Sequence, residues 1–251
     1  GFSIEGQLWN KDTLKFHESM IALEKSGLLD LVKQGEKSIV EIGAGWGGFA
    51  THFIRHCPNT KYFIVDFPQM FYFSFLYLGE AFPNLKRTLY KSGQDLSDSN
   101  IIFLSPHDFI NNFNEQIFGV LNLVSFQEMT SLQVREYSDA AIKLGCRFLY
   151  SHNRDKSPHN KELDSIHNHI ISWSNKSEIV VIASDYLDPD PELTERVGEG
   201  FIRRTAFFIF DLIPLVRRLF ESIFSYATKV RLFGNWYLTS TKKYHHYIWT
   251  R

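Results

Sequence analysis

Val40-Glu41-Ile42-Gly43-Ala44-Gly45-Trp46-Gly47-Gly48 is the stretch that decides the fold. Ser38–Ile42 is a short β-branched run, and glycines follow it at 43, 45, 47 and 48. An apolar run that ends in glycines reads as a buried strand turning sharply into a helix. The helix is expected from Gly47 to about His56, where Pro58 stops it. Lys61–Asp66 then reads as a second strand. Pro68 suits the first turn of a further helix reaching about Phe82. Ile101–Leu104, Val120–Val124 and Arg147–Ser151 read as three more strands, with a helix over Thr130–Leu144 closed by Gly145. Upstream, Leu14, Met20, Ile21, Leu23, Leu28, Leu29 and Leu31 recur at helical spacing across Lys11–Val32. Strands alternating with helices at these intervals imply βαβ units, a mostly parallel sheet and helices on both faces. Beyond residue 155 the pattern weakens, leaving Ile179–Ala183 and Tyr244–Trp249 as strand-like.

Composition sets the outer limits. At roughly 100–200 residues per domain, 251 residues suit one large domain with an appendage. A hydrophobic content of 44% with 22% charged residues excludes wholesale disorder. Cys57 and Cys146 cannot build a disulfide framework, and a reducing, cytoplasmic location is expected. No run is long and apolar enough for a spanning helix. No secretory leader is expected, and the opening Gly1 suggests a processed chain or a piece of a longer protein. The net charge of −1 gives no global field for nucleic acid. That average hides an acidic middle, with 10 acidic against 5 basic residues over 151–200, and a basic tail, with 9 basic against 2 acidic over 201–251.

The glycine turn fits two chemistries. Its glycines let a ligand touch backbone, and the helix start offers N–H groups and partial positive charge to an anionic group. Asp66 ends the next strand, 23 residues after Gly43, a spacing that suits a carboxylate receiving ribose hydroxyls. Gly43, Gly45 and Gly48 satisfy the G-x-G-x-x-G fingerprint of dinucleotide sites. Glu41, Gly43, Gly45 and Gly47 satisfy the acidic-x-G-x-G-x-G pattern of S-adenosylmethionine sites. Glu41 favours the second, because it sets a carboxylate near a ligand that carries an ammonium and a sulfonium.

Four pieces also resemble a known family: Val40–Ala50, Tyr62–Gln69, Asn122–Thr130 and Tyr150–Arg154. Over residues 10–155 the chain is similar to class I S-adenosylmethionine-dependent methyltransferases, and among them to the sugar O-methyltransferases. Ser125-Phe126-Gln127-Glu128-Met129 narrows the match. The resemblance implies a Rossmann-like, doubly wound α/β sheet of seven strands, with an N-terminal helical segment (1–36) and a catalytic domain (37–251). Residues 155–235 would then form acceptor-site, lid or interface insertions. The implied cofactor is S-adenosyl-L-methionine, and the implied partner is a sugar or glycan hydroxyl. Within the matching pieces Ala44, Phe67 and Ser125 join Glu41, Gly43, Gly45, Gly47 and Asp66 as cofactor contacts. In this fold the turn after the third strand meets adenine, which nominates His107 and Asp108. Asp108 equally fits a helix cap.

Ligands of open parallel sheets bind outside the carboxyl ends of the strands. Glu128 and His152 are accordingly the two candidates for the base that takes the acceptor's proton. Gln127, Asn153 and Arg154 suit acceptor hydroxyls or an anionic group. No metal is expected, since neither His167/His169 nor His245/His246 is spaced as a chelate on one face. An acidic turn at 185–190 reads as a proline-broken loop. The apolar, basic stretch 206–233 suits packing or a homo-oligomer interface, with membrane or lipid-linked glycan contact as an alternative. The aromatic run 71–78 reads as a helix buried against the sheet, without the interleaved basic residues that single-stranded nucleic acid requires. Two rival readings stand beside the methyltransferase: an NAD-dependent oxidoreductase, and a non-catalytic scaffold module of a larger glycan-synthesis protein.

Overall fold

The computed structural model describes residues 2–4, 7–157, 159–170, 172–179, 230–232, 235–237 and 245–250. The chain opens with an antiparallel pair, β1 (Phe2–Ile4) and β2 (Gln7–Trp9). Helix α1 (Lys11–Lys25) starts at Asn10, whose side chain accepts a hydrogen bond from the Thr13 N–H. Gly27 adopts φ 76 and splits the helix expected over 11–32 into α1 and α2 (Leu28–Lys33). The alternating core follows as β3 (Lys37–Ile42), α3 (Gly48–His56), β4 (Thr60–Val65) and α4 (Pro68–Ala81). It continues with β5 (Arg87–Leu89), β6 (Ile101–Leu104), β7 (Gly119–Leu123), α5 (Ser131–Lys143), β8 (Phe148–Asn153) and β9 (Asn175–Ile179). Thr130 and Gln133 form a reciprocal capping box at the start of α5.

The chain divides into two compact units, 1–183 with 244–251, and 184–243. In the second unit the described residues form one hairpin, β10 (Val230–Leu232) and β11 (Asn235–Tyr237). The last strand, β12 (His245–Thr250), belongs to the first unit. The expected acidic turn at 185–190 and most of the stretch 206–233 lie outside the described residues.

One sheet organises the first unit, in the order β5-β6-β4-β3-β7-β8-β12-β9. Every neighbouring pair from β5 to β8 is parallel, and β12 runs antiparallel between β8 and β9. This is the expected Rossmann-like α/β sheet with eight strands rather than seven. The added strand is β5 at the edge, three residues whose Arg-Thr-Leu sequence carries no apolar run. The central strands are covered on both faces, so they read as continuous hydrophobic runs. Ile39, Tyr62, Ile64, Phe103, Leu121 and Tyr150 face α1, α2 and α3, while Val40, Ile42, Phe63, Val65, Val120 and Leu149 face α5.

Helix α4 departs from its sequence reading. Phe71, Phe75 and Leu78 pack on the core, but Tyr72 (70% exposed), Phe73, Leu76 and Tyr77 face solvent. A helix apolar around its whole circumference gives no periodicity from which to tell the covered face. Among the described residues no helix is long and apolar enough to cross a membrane.

Candidate functional site

The parallel register brings the carboxyl ends of β3, β4, β7 and β8 to one edge of the sheet. The glycine turn sits there. Gly43, Gly45 and Gly47 all have positive φ (73, 57 and 86), a region that side-chain-bearing residues rarely enter. Gly43 is constrained twice. A Cβ on it would lie 1.9 Å from Ser125 Oγ, so the turn after β7 packs directly on the glycine backbone.

Asp66 clasps this turn to the end of β4. Its Oδ2 accepts from the Gly45 N–H at 2.7 Å, and its Oδ1 from the Phe67 N–H at 2.7 Å. Burial raises its pKa, and the two backbone N–H groups oppose that rise. A carboxylate has about four lone-pair sites, so two backbone bonds leave capacity for ribose hydroxyls. Phe67 begins α4 as its exposed cap residue. Glu41 lies deeper, 2% exposed within the layer facing α1 and α3, and accepts from the Tyr62 hydroxyl at 2.8 Å. Burial pushes its pKa up to about 8; the Tyr62 bond lowers it and Asp66 adds to the rise. Ala44 is buried inside the turn and accepts from the Gly47 N–H through its carbonyl.

The turn after β7 is held by amides. Asn122, fully buried, donates to the Ile42 carbonyl and accepts from the Phe126 N–H, both at 2.9 Å. Its Oδ1 also accepts from Asn153 Nδ2 at 2.8 Å. Gln127 accepts the Arg154 N–H at 3.0 Å and donates to Glu128 Oε1 at 3.0 Å. Gln127 and Asn153 thus bond inward, Arg154 is half-buried, and Glu128 is exposed. Val124 has φ 55, a strained conformation for a β-branched residue. Such outliers concentrate at functional turns. The sequence reading missed both Val124 and Asn122; the one available signal was an amide in the middle of an apolar strand.

The turn after β6 bonds to itself. Asp108 Oδ2 accepts from the Ser105 hydroxyl and Oδ1 from Asn112 Nδ2, and these bonds hold its carboxyl below the usual carboxylate range. His107 is exposed and adjoins Asn111 Nδ2 at 3.3 Å.

His152 is not on a loop. Strand β8 runs two residues beyond its expected end at Ser151 and carries His152 and Asn153 within it. His152 is 1% exposed. Its Nδ1 meets Ser19 Oγ at 2.9 Å, and its ring stacks on His246 at 4.0 Å. Burial first, then His246 and Lys15, press its pKa well below the ordinary histidine value. The two members of the His245/His246 pair do point to opposite faces. His245 meets Glu178, whereas His246 meets Tyr150 and Glu18.

The sheet order and the glycine turn at its carboxyl edge define a Rossmann-like α/β protein. Its chain is similar to magnesium protoporphyrin IX methyltransferase from Synechocystis, solved with bound SAH, at 10% identity and TM-score 0.45 over 70% of this chain and 83% of that one. It is also similar to precorrin-6y C5,15-methyltransferase from Geobacter metallireducens, at 11% identity and TM-score 0.46 over 100% and 94%. Human N-acetylserotonin methyltransferase in complex with SAM aligns at 9% identity and TM-score 0.44, over 68% and 51%. The chain spans 46% and 57% of two further structures described as methyltransferases, from Galdieria sulphuraria and Nostoc punctiforme. No protein-family model and no curated protein matches the sequence.

Proposed function

We propose that the chain is an S-adenosylmethionine-dependent O-methyltransferase acting on a sugar or glycan hydroxyl. One observation carries the cofactor assignment: the left-handed glycine turn after β3 is clasped by Asp66, at the end of the neighbouring strand, through the Gly45 N–H. Gly43 and Gly45 are half-buried at the turn and would meet the methionine portion, with Ala44 and Gly47 buried in the same turn behind them. Asp66 would receive the ribose hydroxyls, with Phe67 beside it. Ser125 closes the turn from the β7 side, and His107 and Asp108 stand toward the adenine end. When bound, the cofactor supplies an electrophilic sulfonium methyl carbon. The chain's part is to align an acceptor hydroxyl and take up its proton. Access favours Glu128 over His152 as that base, because Glu128 is exposed while His152 is enclosed between β8, β12 and α1. The sugar acceptor rests on the resemblance of the 122–130 segment; of the expected polar set Gln127, Asn153 and Arg154, the first two are buried and bonded inward, which leaves Arg154 as the partly exposed member.

Isothermal titration with S-adenosylhomocysteine tests this, with NADH in parallel. Low-micromolar binding is expected, weakened about tenfold or more in Asp66→Ala, as suits loss of hydrogen bonds to a charged group. No NADH binding is expected. A folded chain that binds NADH and not S-adenosylhomocysteine would instead support the oxidoreductase. Acceptor screening with Glu128→Gln then tests the base.

A further inference from the structure

Three chemistry-bearing side chains from distant parts of the chain meet away from the glycine turn: Glu18 on α1, His152 on β8 and His246 on β12. All three are buried, and one ligand atom from each lies within 4.8 Å of the others. His246 Nε2 is 3.0 Å from Glu18 Oε1. The rings of His152 and His246 lie side by side, a consequence of their direct pairing across β8 and β12.

The surroundings of the two rings distinguish this cluster from an ordinary buried ion pair. His246 Nδ1 is 2.7 Å from the Tyr150 hydroxyl, and His152 Nδ1 is 2.9 Å from the Ser19 hydroxyl. In metal sites a ligating histidine characteristically bonds through its other ring nitrogen to a second group, which fixes its tautomer and orientation. Here both rings have that partner on the same nitrogen. Binding through Nε2 on each ring would preserve both Nδ1–hydroxyl bonds. Hydroxyl oxygens can accept from Nδ1–H, the tautomer that leaves the Nε2 lone pair for a metal.

We propose that Glu18, His152 and His246 form a binding site for a divalent transition-metal ion of the zinc class, tying α1 and β12 to β8. Two imidazoles and one carboxylate suit Zn²⁺, Co²⁺ or Ni²⁺, whereas Mg²⁺ and Ca²⁺ favour all-oxygen sets. Bonds of about 2.0–2.1 Å to zinc set three ligand atoms about 3.3 Å apart. His246 Nε2 and Glu18 Oε1 already lie 3.0 Å apart, and all three ligand atoms lie within 4.8 Å of one another. Three protein ligands leave a fourth position for a water or another oxygen. The proposal does not depend on the identity of the organic cofactor.

The test is titration of the full chain, freed of metal by chelator dialysis, with Zn²⁺ against a chromophoric competitor and with Mg²⁺ as control. One Zn²⁺ per chain is expected, with no comparable Mg²⁺ binding. His246→Ala and Glu18→Gln should each weaken Zn²⁺ binding at least 100-fold. Tyr150→Phe, which keeps the ring and its packing, should weaken it about 10- to 100-fold, the range for loss of an outer partner. Co²⁺ should give visible d–d absorption that His246→Ala abolishes. If the folded wild type takes up no stoichiometric Zn²⁺, the proposal fails. It fails equally if folded His246→Ala, or Tyr150→Phe where the former does not fold, binds Zn²⁺ as the wild type does.

Discussion

The glycine turn after β3 and the histidine layer between β8 and β12 occupy two parts of one sheet and use opposite means. At the turn, side chains are withheld: Gly43, Gly45 and Gly47 take left-handed conformations, and the contacts come from backbone N–H groups and Asp66. In the histidine layer Glu18, Ser19, Tyr150, His152 and His246 bring polar side chains together, and they bond one another inside the protein. The first arrangement closes the turn with backbone bonds and leaves Gly43 and Gly45 only partly covered. The second brings nitrogen and oxygen atoms together out of water, where they must satisfy one another. Asn122 and Asn153 stand between the two, with bonds reaching the end of β3 on one side and β8 on the other.

The largest expected effect breaks the turn. Gly43→Ala combines a φ of 73 with a Cβ only 1.9 Å from Ser125 Oγ. Left-handed strain and overlap together should cost about 3 kcal/mol of stability and disrupt binding of S-adenosylhomocysteine. Thermal unfolding and titration check this. Adding Ser125→Gly should recover the steric part and leave the strain, so the double mutant should be more stable than the sum of the two single effects. Additive effects would mean that the two turns do not touch.

Asn122→Ala would break the link between the regions. It leaves the Phe126 N–H without its side-chain acceptor in a buried place and removes one of the acceptors of Asn153 Nδ2, which keeps Ser151 Oγ and the Asn122 carbonyl. A loss of about 2–3 kcal/mol is expected, read by denaturant unfolding. A loss under about 0.5 kcal/mol would show that the bridge is incidental. The histidine layer should retain its Zn²⁺ response in this variant if it stands independently of the turn.

The first of these regions was largely legible and the second was not. Gly43, Gly45, Gly47 and Asp66 announce themselves because a strand, a turn and a helix start are local features, each written within a few residues. The parallel sheet followed from the same local alternation. The histidine layer joins Glu18 to His246 across 228 positions, so no spacing rule reaches it. Judged alone, His245/His246 gave no chelate, and the partners of His246 were visible only after β12 paired with β8. His152 falls just beyond the strand expected over Arg147–Ser151 because the apolar run stops at Tyr150, although the strand continues through His152 and Asn153. Ser151, His152 and Asn153 are satisfied in the strand: Ser151 Oγ accepts from Asn153 Nδ2, which also donates to Asn122, and His152 meets the Ser19 hydroxyl and the His246 ring.

A pH dependence belongs to the turn's side of the comparison, through Glu41 on β3. The Glu41 carboxyl, raised from 4.5 to about 8 chiefly by burial, keeps its proton in the folded chain where the unfolded chain has released it. Its contribution is fully present below about pH 4.5 and is lost as pH rises through about 8. Between those limits the ligand-free protein should lose stability with rising pH, by at most about 1.4 kcal/mol per pH unit from this one proton. Glu41→Gln should remove that slope. An unchanged slope in the variant would assign the pH dependence to other groups.

The smallest effect concerns the surface beside the turn. Helix α4 leads away from Asp66 and carries Tyr72, Phe73 and Leu76 outward, while Leu78 is fully buried and packs beneath Gly47. Solvent-facing substitutions generally shift stability by less than about 0.5 kcal/mol. Truncation of a buried leucine costs about 2–5 kcal/mol. Phe73→Ser should therefore leave the unfolding midpoint almost unchanged, and Leu78→Ala should lower it sharply. The same contrast should hold for cofactor binding: Leu78 supports the turn through contact at Gly47, whereas Phe73 supports nothing the turn needs. A large destabilisation by Phe73→Ser would mean that this outer face is covered in the folded protein, and that α4 is the buried helix its composition suggests.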